Sequence, residues 1–385
     1  MSVYEKISGF ADEISQDFDQ QLKTVTDLGM KYICIRSAEH KGIADYTPEE
    51  VRTVLLPKLR AAGVGVSSLG TAIGKVEVDD EAGFAKQLEQ LETLCETAKL
   101  LDCSFIRMFS FLIPKDADAD SYTDVVLDKL RQFIRIAEKH DIVLLHENEK
   151  GIYGDTGARC KLLFDRLACP HFKAAFDFAN FVQCEQDTAE CWELLHDQIV
   201  YIHIKDALPG CLLNVPAGTG LGKIPELLRR AFCEEGYHGF LTLEPHLAMF
   251  DFFAPGAKGG KSQKLQFENN PIVEKMKSEM AEPGRPKDGA EAYATQYHAL
   301  VETRIPSLTR HPHPVPQNPH KKTPPAGRPG AGLLLFAAKK LGPMLSAAFH
   351  LEYGNILAAC QSLAGRFFLC QRRFRENDRK RILYL

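Results

Sequence analysis

Four times in this chain an apolar run stops at a residue able to bind a proton or a metal, and the spacing of those stops constrains the fold more than any other feature. The run Ile142 to Leu145 leads to Glu147, the run Ala174 to Phe176 to Asp177, the segment IVYIHIKDA contains His203, and GFLTLEPH contains Glu244. Four apolar residues in succession, bounded by charge, suit a strand buried on both faces, as in a parallel sheet covered by helices. Strand alternation puts Val143, Leu145 and Glu147 on one face, so an acidic side chain follows two core residues inward. The stops are 30, 26 and 41 residues apart, the length of a strand-loop-helix-loop unit, so they fall at equivalent places in successive units. Three carboxylates and one imidazole collected on one rim repel one another unless a cation sits among them. Their mixed oxygen and nitrogen donors suit one hard or borderline divalent ion.

The rest of the chain extends the same alternation. Strand-like Ile7 to Ala11 precedes helix-like Phe18 to Leu28, closed by Gly29, and Tyr32 to Ile35 precedes Pro48 to Ala62, closed by Gly63. Val64 to Leu69 precedes Glu81 to Leu101, where Phe84, Leu88, Leu91, Leu94 and Cys95 mark one buried face. Phe105 to Phe109 precedes Tyr122 to His140. Helices from about Ala158, at Ala189 to Leu195 and at Pro225 to Glu235 then separate the four strands with functional ends. Eight such alternations predict an α/β fold, a (β/α)8 TIM barrel, with a doubly wound open sheet as the fallback. After Glu244 a long connection holding Gly256, Gly259 and Gly260 delays the eighth helix to Glu291 to Val301, and a covering role is open to it.

At 385 residues the chain exceeds what one barrel needs, and its charge shows where the excess lies. Residues 306–385 carry 13 Lys/Arg against 3 Asp/Glu, a net of +10, which leaves 34 against 48, or −14, for residues 1–305. The barrel is therefore assigned to residues 1–305, a Pro-rich, disordered or extended linker to 306–329, and a weakly structured basic tail of unknown role to 330–385. An acidic body disfavours nucleic acid as a partner. No uninterrupted apolar run approaches the ~18 residues of a membrane span and no apolar segment follows Met1, so the reading is cytoplasmic with no membrane partner. Eleven cysteines without a CxxC or CxxH pair point to reduced thiols. The sequence leaves homo-oligomerisation open.

HENEKGIYGDT at 146–156, FDFANFVQ at 176–183, YIHIKDA at 201–207, PAGTGLGKI at 216–224 and LTLEPH at 241–246 together resemble the sugar phosphate isomerase/epimerase family of the xylose-isomerase-like barrel superfamily. The resemblance covers roughly residues 3 to 305. It implies metal ligands at Glu147, Asp177, His203 and Glu244, the same four residues that the strand ends select, and one Mn²⁺ or Mg²⁺ as cofactor. It also implies that Glu147 and Glu244 form an acid/base pair on opposite faces of a sugar or sugar phosphate. Where many relatives carry histidine three residues after the aspartate, this chain has Asn180, which can bond a substrate hydroxyl but cannot carry a proton charge. The implied reaction isomerises or epimerises a sugar through a metal-stabilised enediolate, with a base on one side of the carbon and, for epimerisation, an acid on the other.

Further substrate contacts are expected from Lys205, which shares the strand face of His203, and from Arg107, which either orients substrate or pairs with a ligand carboxylate. Gly218, Gly220 and Gly222 before Lys223 offer backbone amides for a phosphate, against the alternative of an ordinary turn. Lys75 is a further phosphate candidate. His146, on the opposite strand face from Glu147, reads as a packed histidine. Other functions compatible with the same rim are a metal-dependent lyase or dehydratase on a cyclitol or keto acid, an abasic-site endonuclease-like hydrolase, and a non-catalytic sugar-binding barrel.

Overall fold

The computed structural model describes residues 3–211, 213–247 and 271–303. The linker and tail expectations for 306–385, and most of the connection after Glu244, lie outside these residues. Eight parallel strands form one sheet: β1 (Ile7–Gly9), β2 (Tyr32–Ile35), β3 (Gly65–Ile73), β4 (Phe105–Met108), β5 (Val143–Glu147), β6 (Phe172–Asp177), β7 (Ile199–Ile204) and β8 (Phe240–Leu243). Their order around the sheet is β1-β8-β7-β6-β5-β4-β3-β2, and a parallel bridge between Phe10 and Cys34 joins the two ends. The barrel is thereby closed, as the alternation requires, and the open-sheet fallback is set aside.

The outer helices are α1 (Phe18–Asp27), α2 (Leu56–Ala62), α3 (Glu81–Leu100), α4 (Thr123–His140), α5 (Gly157–Arg166), α6 (Thr188–Leu195), α7 (Ile224–Cys233) and α8 (Gly289–Glu302). Local chemistry explains their ends. Asp17, Asp80, Thr156, Asp187 and Asp288 each accept an N-terminal amide of the helix they precede, and Gly63 closes α2 in the left-handed conformation at φ 65°. The helix expected from Pro48 to Ala62 contains a π-helical stretch at Val51–Leu55. Pro57 has no N–H to return to the preceding turn, and the wider turn carries the ladder past it. On α3 the buried face holds Phe84, Leu91, Leu94 and Cys95 as expected, while Leu88 is only half-buried.

Among the described residues two further α-helices lie outside the strand-helix alternation read from the sequence. Phe178–Gln183 follows β6 directly, and Pro271–Met280 lies between β8 and α8. The barrel interior below the rim is polar in one layer, where the Tyr201 hydroxyl is bonded to Ser67 Oγ at 2.8 Å and to Ser68 Oγ at 2.9 Å. His203 sits above this layer, its ring edge-on to Tyr201. Among the described residues the nine cysteines are free thiols, and no helix is long and apolar enough to cross a membrane.

Candidate metal centre and sugar site

Register places the four selected side chains together. Asp177 lies level with His203, His203 with Thr242, and Glu147 with Ala175, while Glu244 follows Leu243 at the end of β8. Each side chain therefore leaves the C-terminal end of one of four neighbouring strands, and one donor atom from each falls within 4.8 Å of the others. His203 Nδ1 is 3.1 Å from Glu147 Oε1, 3.5 Å from Glu244 Oε2 and 3.7 Å from Asp177 Oδ2. All four residues are buried.

The carboxylates share out their oxygens. Asp177 uses Oδ1 to accept the Asn180 N–H at 2.7 Å, capping the short helix Phe178–Gln183, and leaves Oδ2 toward His203. Glu147 turns Oε1 toward His203 and gives Oε2 to Arg107 Nη1 at 3.1 Å. Glu244 turns Oε2 toward His203 and gives Oε1 to Arg36 Nη1 at 3.1 Å. Asp177 Oδ2, Glu244 Oε2 and both His203 nitrogens are buried without a hydrogen-bond partner among the described residues. Leaving such atoms unmatched costs about 1–3 kcal/mol each, and a cation among them would satisfy one from each residue at once. Three carboxylates and an imidazole with these atoms convergent fit a divalent cation.

The charges point the same way. Burial pushes the Asp177 carboxyl up despite Lys205 nearby. Burial also pushes Glu147 and Glu244 up, but His203 and Arg107 at Glu147, and Lys205 and His203 at Glu244, outweigh it and hold both below the usual carboxylate range. His203 is opposed by burial yet held well above an ordinary histidine by Glu147 and its neighbours, so without a metal its proton supplies part of the missing positive charge.

The substrate candidates separate into two groups. Lys205 and Asn180 join the cluster: Lys205 Nζ donates to Asn180 Oδ1 at 3.0 Å and lies 3.4 Å from Asp177 Oδ2 and 3.6 Å from Glu244 Oε2. Asn180 Nδ2 donates to Glu147 Oε1 at 3.2 Å and to the Asn148 carbonyl at 2.9 Å. Arg107 also joins it, buried and donating from Nη1 to Glu147 Oε2. The glycine loop does not. The amides of Gly218 and Gly220 donate to Asp206 Oδ2 and that of Gly222 to Asp206 Oδ1, each at 2.9 Å. Asp206 thus accepts the amides that the phosphate-cradle expectation assigned to a ligand. Lys223 is exposed and tied to Asp187 at 2.7 Å, and Lys75 pairs with Glu149 at 3.0 Å. His146 is packed as expected, with Nε2 2.9 Å from Ser110 Oγ and its ring against Phe164 and Phe172. Burial lowers its pKa to about 4.

Sequence reasoning missed the residues that barrel closure brings in from β1 and β2. Arg36 bonds Asp12 Oδ2 at 2.7 Å and lies 3.5 Å from Glu13 Oε1 while holding Glu244. His246, two residues past Glu244, faces Glu13 Oε1 at 3.1 Å. The signal was present, since Asp12 and Glu13 come just after the first strand much as Glu147 ends the fifth, but that first strand is only three residues long.

The sequence model of the xylose isomerase-like TIM barrel family matches residues 22–259. A curated relative, the probable L-ribulose-5-phosphate 3-epimerase UlaE of Mycoplasma pneumoniae, is 24% identical over 141 residues, a match spanning 36% of this chain and 45% of that protein. Two solved structures share the fold at low identity. The IolI protein with a bound zinc atom gives a TM-score of 0.57 at 16% identity, covering 77% of this chain and 97% of that one. The D-allulose 3-epimerase of Methylomonas sp., in complex with D-allulose, gives 0.55 at 17%, covering 79% and 99%.

Proposed function

The chain belongs to the xylose isomerase-like TIM barrel family, and from that premise we propose that it is a metal-dependent epimerase or isomerase of a sugar or sugar phosphate. The observation that carries the reading is the divided use of Glu147 and Glu244, one oxygen of each turned into a cluster of unmatched donors and the other held by a guanidinium. Glu147, Asp177, His203 and Glu244 would hold one Mn²⁺ or Mg²⁺. When bound, such an ion polarises a ketose carbonyl and eases loss of the adjoining C–H proton. Glu147 ends β5 and Glu244 follows β8, so a proton taken by one from one side of the substrate can be returned by the other from the opposite side, which inversion of a carbinol requires. Lys205, kept charged by Asp177 and Glu244 against the effect of burial, would donate to a substrate oxygen, and Asn180 would bond a hydroxyl.

The zinc of IolI and the D-allulose of the Methylomonas enzyme make a divalent ion and a ketose the first ligands to test. The decisive assay offers ketoses and their phosphates in D₂O with several divalent metals. Turnover should place solvent deuterium on the reacting carbon, and Glu147→Gln and Glu244→Gln, which keep an oxygen for the metal, should each lose ~10²–10⁴ in rate. Both variants turning over at the parent rate with metal bound would remove the two-glutamate assignment. Product without solvent deuterium would point instead to a hydride shift.

A further inference from the structure

Phe10 follows β1 and is fully buried, yet its neighbours are charged. The guanidinium carbons of Arg36 and Arg107 each lie 4.9 Å from its ring centroid, and the His203 ring meets it edge-on at 5.2 Å with an interplanar angle of 87°. Every one of these partners belongs to the metal centre or holds it. Arg107 Nη1 is 3.1 Å from Glu147 Oε2 and 4.0 Å from Glu244 Oε1, and Arg36 Nη1 is 3.1 Å from Glu244 Oε1. One ring therefore touches the groups that hold both glutamates and the imidazole ligand itself.

An aliphatic side chain of similar size would fill this volume, but only an aromatic ring offers a negative face to a guanidinium. The chain keeps space for that ring. A Cβ at Gly70 on β3 would come within 2.5 Å of a Phe10 ring carbon and 3.2 Å of Arg36 Cβ. The Phe10 backbone is fixed as well, because its N–H donates to the Leu243 carbonyl at 2.9 Å, next to Glu244, and its bridge to Cys34 closes the barrel. The ring is thus anchored at the seam where the first, second and last strands meet.

We propose that Phe10 is a positioning residue of the metal centre: its ring seats Arg36 and Arg107 and so sets the direction in which Glu147 and Glu244 present their remaining oxygens. The proposal rests on Glu147, Asp177, His203 and Glu244 being the ligand set. It makes barrel closure part of site assembly, since the element that seals the sheet also aims two ligands contributed by strands on the far side of His203 and beside it.

The test is a Mn²⁺ competition titration of the full chain and of Phe10→Leu, Gly70→Ala, Arg36→Gln and the double variant Phe10→Leu/Arg36→Gln, with the visible spectrum of the Co²⁺ form as a second readout. Phe10→Leu and Gly70→Ala should each weaken Mn²⁺ binding about 10-fold or more, the usual scale for residues that orient ligands, and should alter the Co²⁺ spectrum. In the double variant the losses should fall short of multiplying, because the part of the Phe10 effect that runs through Arg36 is already lost in Arg36→Gln, while the part through Arg107 and His203 remains. A purely structural role for Phe10 would give multiplying losses. Parent-like Mn²⁺ affinity in Phe10→Leu, or multiplying losses in the double variant, would overturn the proposal. If Phe10→Leu fails to fold, Gly70→Ala, which keeps the ring and displaces it, is read against Arg36→Gln in the same way. A parent chain that binds no Mn²⁺ would overturn the ligand reading and this proposal together, whereas a parent that binds with an indifferent Phe10 overturns this proposal alone.

Discussion

Asp206 lies three positions after His203, and the two ends of that stretch are built on opposite principles. At Asp206 both carboxylate oxygens are met: Oδ1 by the amides of Ala207 and Gly222, Oδ2 by those of Gly218 and Gly220, at 2.9–3.0 Å. At the rim, Asp177 Oδ2, Glu244 Oε2 and both nitrogens of His203 are equally buried and have no hydrogen-bond partner among the described residues. A buried carboxylate whose lone pairs are all matched completes the backbone around it. One whose lone pairs converge unmatched beside other ligand atoms could hold a cation. Burial of charge alone would have grouped the two centres together, and hydrogen-bond accounting separates them.

The sharpest way to break this contrast is to remove the matched carboxylate. Asp206→Ala strands the buried amide of Gly222 and leaves those of the more open Gly218 and Gly220 to water, and a stranded buried donor costs ~1–3 kcal/mol, so a loss of about 1–3 kcal/mol in unfolding free energy is expected. Chemical denaturation measures it. Metal affinity should meanwhile stay within about 3-fold, since removing a group outside the ligand set does not unmatch a ligand. Strong loss of metal with unchanged stability would reverse the roles given to the two centres. A smaller effect sharpens the same comparison from the loop's outer side. The Lys223–Asp187 pair is exposed, and Lys223→Gln should change stability by no more than about 0.5 kcal/mol. It should also leave selectivity between a ketose and its phosphate unaltered, and a selective loss of phosphate binding would restore Lys223 to the substrate site.

The sequence disclosed the rim because each of its residues ends a strand whose apolar run is local and continuous. Glu147, Asp177, His203 and Glu244 could be found by counting, and so could the α8 helix, whose cap at Asp288 precedes its expected start. Arg36 and Phe10 could not, because their relation to Glu244 exists only after β1 pairs with β8 and β2 bridges to β1, and the Arg36–Glu244 contact spans 208 residues. The partner of the glycine loop was hidden for a related reason. A GxGxG segment states that amides will be exposed at a turn, but not which acceptor takes them, and here the acceptor lies 12 to 16 residues upstream. The short helix after β6 was hidden by economy, since Asp177 both starts it as a cap and serves the cluster.

The central claim is that Glu147, Asp177, His203 and Glu244 act together as one cation site, and a Mn²⁺ titration across pH tests it most directly. The full chain should bind one ion. Because the His203 pKa is raised in the metal-free protein, the imidazolium must release its proton before it can ligate, so affinity should climb with pH by up to about tenfold per unit until that proton is gone. His203→Ala and Asp177→Ala should each lose on the order of 100-fold in affinity while remaining folded, and His203→Ala should also lose the part of the pH slope due to that proton. Full occupancy at parental affinity in both variants would contradict the account.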